Sequence, residues 1–137
     1  MVFKRKKKVK YNNTKINAFG MTFDSKREYE RYLALKDAQK NGLITDLQIK
    51  VKYELIPAVK KTYTKHLKTK DKEVEVTLQQ PITYTCDFQY KKGDVLVVED
   101  VKISPKILPD KFVLKEKMMF YFFGIRIRKV YKATEEI

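Results

Sequence analysis

From Leu47 to Leu55 apolar and polar residues alternate without a break: Leu47, Ile49, Val51, Tyr53 and Leu55 against Gln48, Lys50, Lys52 and Glu54. A period of two sends successive side chains to opposite faces, so this stretch predicts one half-buried strand ending near Pro57. The alternation returns in Val74, Val76 and Leu78 against Glu73, Glu75 and Thr77, a second strand, with Pro81 interrupting it or opening the next stretch. Ile82 to Tyr90 and Val95 to Lys102 are strand-like too, and Lys91-Lys92-Gly93-Asp94 between them reads as a hairpin turn. The period changes at two places. Ser25 followed by Glu28 has the S-x-x-E form of a capping box, and Tyr29, Tyr32, Leu33 and Leu35 carry a helix to a stop at Asn41-Gly42. Lys111 to Phe123 places Phe112, Lys115, Met119 and Phe122 near helical spacing, with Gly124 as its end. Ser104 to Pro109, with two prolines, is a loop, and Ile125, Ile127 and Val130 predict a last strand. Helix, strands, helix, strand is the order of a mixed α/β domain, a central sheet covered by helices.

Two basic stretches escape this pattern. Lys60 to Lys72 is poorly patterned and reads as a loop or an exposed hairpin tip. Lys4 to Lys10 is a nearly continuous basic run that cannot pack, so residues 1–15 are read as a mobile arm and 16–137 as a single domain. The 31 Lys and Arg against 17 Asp and Glu leave a formal net charge of +14. Such an excess repels itself in the compact state, and a polyanion relieves it by releasing condensed counterions; nucleic acid is the expected partner. No stretch approaches the roughly 20 apolar residues of a spanning helix, so a membrane partner is not expected. The N-terminus lacks the apolar run of a signal peptide, which makes the cytoplasm the expected compartment. A single cysteine, Cys86, excludes an internal disulfide and a zinc finger, and a single histidine, His66, closes mechanisms that need two. Catalysis here has to run on carboxylates, lysines, tyrosines and a bound metal.

The hairpin concentrates the candidate chemistry. Pairing Lys91 with Asp94, or Tyr90 with Val95, puts Asp87 opposite Val98 and on the face shared by Val98, Asp100 and Lys102. Asp87 and Asp100 then become diagonal neighbours about 7 Å apart at the backbone, while Glu99 points away. A turn with an odd number of residues would reverse the choice in favour of Glu99. Two neighbouring carboxylates repel and are costly to desolvate, and a divalent cation between them removes both costs. Magnesium suits such oxygen donors, with manganese as its substitute, and Lys102 can position or deprotonate a bound water. That is equipment for hydrolysing a phosphodiester. The plain alternative is a solvated strand face, against which stands the apolar run Val95-Leu96-Val97-Val98 leading to Asp100. Cys86, alternating to the face opposite Asp87, is expected to be core.

Asp87 followed by Asp100-Val101-Lys102 resembles the signature of the PD-(D/E)XK nucleases, with Asp100 in the (D/E) place. The stretches Phe23-Asp24-Ser25-Lys26-Arg27-Glu28 and Val97-Val98-Glu99-Asp100-Val101-Lys102 are similar to those of small phage-encoded nucleases related to phage endonuclease I and Holliday-junction resolvases. The likeness runs from about Asn17 to Val130. Cys86 stands where the naming proline would be, Ile103 replaces a small residue after the lysine, and the basic stretch at 60–72 looks like an insertion. The resemblance implies a restriction-endonuclease-like core: a helix, a three-stranded antiparallel meander, a second helix and another strand. It implies a magnesium-dependent endodeoxyribonuclease selective for branched DNA, in the host cytoplasm if phage-encoded. It also implies that Glu28 completes the metal site, with Glu30 as the fallback. Gln48 is a candidate supporting residue, and Lys4, Arg5, Lys6, Lys7, Lys8, Lys65, Lys68 and Lys115 are candidate DNA contacts. Paired cuts in a four-way junction call for a homodimer, for which the apolar run Met118 to Phe123 is available. The competing reading is a non-catalytic basic DNA-binding protein, a phage regulator or packaging factor.

Overall fold

The computed structural model describes residues 14–137. The basic run that holds Lys4, Arg5, Lys6, Lys7 and Lys8 lies outside the described residues. A short hairpin of β1 (Ile16–Ala18) and β2 (Met21–Phe23) leads into α1 (Lys26–Lys40). Next come β3 (Thr45–Ile49), β4 (Lys52–Ile56), β5 (Val59–His66), β6 (Asp71–Gln79), β7 (Ile82–Thr85), β8 (Phe88–Lys92) and β9 (Val95–Val101). α2 (Asp110–Phe123) and β10 (Arg128–Val130) complete the described chain. The main sheet runs in the order β10-β9-β8-β3 and is mixed, since β10 lies parallel to β9 and the other pairs are antiparallel.

The sheet divides two cores. Phe88, Tyr90 and Val97 on one face pack against Tyr32, Leu35 and Ala38 of α1. On the other side Val98 joins Leu55, Tyr84 and Cys86 against Phe112 and Met119 of α2. Each wholly buried large apolar side chain among these contributes about 1.5–3 kcal/mol. The buried stripe of α1 also contains Glu28 and Arg31. Arg31 survives there because it pairs with Glu99, and Glu28 because it lines a polar cleft rather than the apolar packing.

The helix ends follow local chemistry. Ser25 caps α1 by accepting the Glu28 N–H at 3.1 Å, as its position predicts. α2 stops at Gly124, whose φ of 68° lies in the left-handed region that glycine adopts without a Cβ clash.

The strands depart from the alternation in two places. The stretch expected to be one strand from Leu47 to Pro57 is two, broken at Lys50, which adopts a φ of 49°. The stretch from Ile82 to Tyr90 is broken at the same level, at Cys86–Asp87. Across the double break the Lys50 N–H donates to the Asp87 carbonyl at 3.0 Å and the Cys86 N–H to the Val51 carbonyl at 3.0 Å. The pair therefore continues through a bend, with β3 and β8 in the main sheet and β4 and β7 forming a separate two-stranded extension. Because of this bend Cys86 escapes strict alternation. It packs on the side of Val98 rather than on the opposite face, although it is core as expected.

Lys60 to Lys72, expected as a loop or hairpin tip, forms most of a long antiparallel ribbon of β5 and β6. Every residue of that ribbon is exposed except the half-buried Val74.

Candidate functional site

The turn between β8 and β9 is tighter than the sequence suggests. Lys92 pairs with Val95, so only Gly93 and Asp94 form the loop and both lysines belong to the strand. Relative to the expected pairing the register moves by two positions, which preserves the faces and changes the partner. Phe88 pairs with Glu99 as the last rung of the ladder, and the Asp87 N–H donates to the Glu99 carbonyl at 3.2 Å, which sets Asp87 beside the Glu99–Asp100 step rather than opposite Val98. Asp87 Oδ2 accepts the Val101 N–H at 2.7 Å, which ties its side chain across to β9.

Asp100 is buried at 5 % exposure and fully engaged. The Tyr84 hydroxyl donates to its Oδ2 at 2.6 Å, and the Lys102 ammonium stands 2.9 Å from its Oδ1. Lys102 in turn lies over the Phe112 ring, 4.0 Å from its centroid, a cation–π contact that keeps the ammonium at the mouth of the site. The start of α1 closes the other side. Glu28 is buried in a cleft of about 710 Å³ that it lines with Asp24, Arg27, Asp87, Asp100 and Lys102. The Arg27 guanidinium donates to the carbonyls of Lys102 and Ile103 at 3.2 and 3.3 Å, fixing the backbone that carries the lysine.

Burial and crowding act on two of these carboxyls, Asp87 and Glu28. Burial, then the Asp100 and Glu28 carboxylates, push Asp87 up to about 8, against the pull of the Val101 N–H and of Lys102. Burial and the Asp24 carboxylate push Glu28 upward as well, while Lys50 and the Asp24 backbone pull it down. The cleft thus carries more carboxylate than its own cations neutralise.

A family model described as a protein of unknown function (DUF1064) matches residues 8–135. The chain belongs to the DUF1064 family. No curated protein and no solved structure is significantly similar to it.

In this DUF1064 member four of the residues singled out in the sequence, Glu28, Asp87, Asp100 and Lys102, line one cleft although they come from α1, the β7–β8 bend, β9 and the residue that follows β9. Glu30 does not join them; it is exposed and lies 3.7 Å from Lys26. Gln48 is exposed and donates to Asp46. Lys115 lies on α2, outside the residues that line the cleft, and Lys65 and Lys68 belong to the ribbon region. Glu99 turns to the other face, where Arg31 and Tyr90 hold it. Nothing local to Arg27, Lys50 or Tyr84 announces their contacts with the Lys102–Ile103 backbone, with Asp24 and with Asp100. The contact of Tyr84 with Asp100 depends on how the bent pair lies beside β9.

The oxygen donors of the DUF1064 cleft suit a hard divalent cation such as Mg²⁺, and the excess carboxylate is the charge such an ion would balance. Among the described residues no three Asp, Glu, His or Cys side chains stand close enough together to hold a metal as they are. Beside Asp100 the Lys102 ammonium supplies the positive charge instead.

Proposed function

We propose that this protein is a metal-dependent endodeoxyribonuclease of the PD-(D/E)XK type, hydrolysing DNA phosphodiesters and selective for branched DNA. The observation that carries the proposal is the convergence of Glu28, Asp87, Asp100 and Lys102 on one cleft, on a chain of net charge +14. The order of α1, an antiparallel run through β3, β8 and β9, then α2 and the parallel β10 supports a restriction-endonuclease-like core.

Asp87 and Asp100 are the residues that would hold Mg²⁺ or Mn²⁺, and Glu28 completes the set. When bound, such an ion polarises a phosphoryl oxygen and acidifies a water. The protein's own groups do the rest. Lys102 leaves Asp100 to face the scissile phosphate, where it offsets charge and orients the attacking water. Tyr84 keeps Asp100 fixed as its partner changes. Arg27 holds the Lys102–Ile103 backbone in place, and Glu28 brings its carboxyl into the same cleft from the start of α1. A second copy of the chain, needed for paired cuts, finds apolar surface on α2, where Tyr121 is 83 % exposed and Phe120, Phe122 and Phe123 are nearly half exposed.

One observation favours the alternative of a DNA-binding protein without catalysis: Asp100 already has Lys102 and Tyr84 as partners, and no three metal donors converge. Cleavage of labelled four-way junction, linear duplex and single-stranded DNA, with Mg²⁺ and with chelator, separates the two. Mg²⁺-dependent cutting by the wild type, lost in Asp100→Asn with DNA binding retained, supports the nuclease. Symmetric nicks at the branch point identify its substrate class. Tight binding with no cutting of any substrate leaves the binding protein.

A further inference from the structure

The β5–β6 ribbon separates its charges by face. Lys61 pairs with Val76, Tyr63 with Val74 and Lys65 with Lys72, and alternation puts these six side chains on one side. Thr62 opposite Glu75, Thr64 opposite Glu73 and His66 opposite Asp71 occupy the other. Both ion pairs of the ribbon fall on that second face: Lys60 with Glu75 at 3.0 Å and His66 with Asp71 at 2.8 Å. One side is therefore acidic and internally paired. The other carries three lysines around an exposed tyrosine and two valines, with no acidic residue among them. A ribbon kept only for solubility has no need to sort its charges, and one facing a protein core would not be exposed along its length.

We propose that the lysine face of this ribbon is a second DNA contact, in which Lys61, Lys65 and Lys72 meet backbone phosphates of the duplex that enters the cleft. A two-stranded ribbon fits the width of a major groove, and eight residues of strand reach about 26 Å, enough to follow several phosphates. Tyr63, 45 % exposed between the lysines, adds an apolar surface against sugars. The acidic face points away from the DNA and keeps the ribbon from being engaged on both sides. This inference rests on the DNA reading of the protein but not on catalysis.

The test is duplex binding in chelator as a function of salt, for the full chain and two triple variants. Lys61→Gln/Lys65→Gln/Lys72→Gln removes the proposed face. Lys36→Gln/Lys40→Gln/Lys132→Gln removes the same charge from exposed positions elsewhere. The ribbon variant should flatten the slope of log K against log salt by about 2 to 3 and weaken binding on the order of a hundredfold near 0.1 M salt. The control variant should change neither appreciably, and both should melt like the wild type. Equal losses in the two variants, or an unchanged slope in the ribbon variant, overturn the proposal. So does a ribbon variant that loses only binding to phosphatidylserine vesicles, which would make the face a lipid contact. Lysine-dependent binding without any cleavage sinks the nuclease reading and leaves this inference standing; cleavage with ribbon-independent binding does the reverse.

Discussion

Arg31 and Glu99 form a two-pronged ion pair, Nε to Oε2 at 2.9 Å and Nη2 to Oε1 at 2.6 Å, with both side chains wholly excluded from water. The Tyr90 hydroxyl donates to the same carboxylate at 2.6 Å, and Arg31 Nη1 donates to the carbonyls of Ala133 and Glu135 at 3.2 and 2.6 Å. Arg31 thereby ties α1, β9 and the C-terminal segment to one point. Adjacent carboxylates on β9 serve opposite purposes: Glu99 holds the fold on one face while Asp100 faces the cleft on the other.

Removing one member of that pair strands a buried charge. Arg31→Met should cost about 3–5 kcal/mol, read from urea melts. Arg31→Met/Glu99→Leu should recover much of the loss, because no charge is then left in the core. A single variant as stable as wild type would show that the pair has no structural role.

The raised Asp87 carboxyl gives a pH signature with a definite sign. Folded, the group keeps its proton to about 8, whereas unfolded it loses it near the ordinary carboxylate value of about 4. Stability should therefore fall as pH rises from about 4 to 8 and level off above. Asp87→Asn, which can still accept the Val101 N–H, should melt above wild type at pH 8 and lose that advantage toward pH 5. Parallel melting curves at all pH values would contradict the charge crowding described for the cleft.

If a divalent cation is the missing partner of these carboxylates, it should stabilise the folded chain. Mg²⁺ at a hundred times its Kd adds about 2.7 kcal/mol. The rise in Tm, followed by fluorescence or calorimetry, should disappear in Asp87→Asn and Asp100→Asn. No Mg²⁺- or Mn²⁺-dependent shift in the wild type would argue for the DNA-binding alternative.

Lys102 is the sharpest probe of chemistry apart from metal binding. Lys102→Met should lower the cleavage rate by about 10²–10⁴ while duplex affinity in chelator changes little. Tyr84→Phe tests the support beneath it. Loss of the hydrogen bond to the buried Asp100 side chain should destabilise the protein by about 1–3 kcal/mol in chemical denaturation.

The features legible in the sequence are those set within a few residues. Ser25 caps α1 and Gly124 ends α2 because caps depend on the side chain and φ of one position. The shared face of Asp87, Asp100 and Lys102 survives a register that differs by two, since faces depend only on parity. The partner itself does not, because Lys91 and Lys92 look like turn residues yet pair in β8. The break at Lys50 has no local sign: a lysine at positive φ is imposed by the bend that it shares with Cys86–Asp87. The three-residue strands β1 and β2 are too short for a period to emerge, the last strand expected around Ile125 to Val130 is present but shortened to Arg128–Val130, and Arg31 finds Glu99 across 68 residues of chain. Long-range relations of this kind decide which carboxylate enters the cleft and which one leaves it.

Ile56 at the end of β4 pairs with Ile82 at the start of β7, so the chain leaves for the ribbon and returns from it at neighbouring backbone positions. Residues 57–81 therefore form a detachable accessory: a short turn can join the two isoleucines without moving the bend, the cleft or either helix. Lengthening, recharging or exchanging this segment would change the charge that the ribbon presents while Glu28, Asp87, Asp100 and Lys102 stay where they are. The surface chemistry of the ribbon in such an architecture is free to drift on its own, apart from the constraints that folding places on the rest of the molecule.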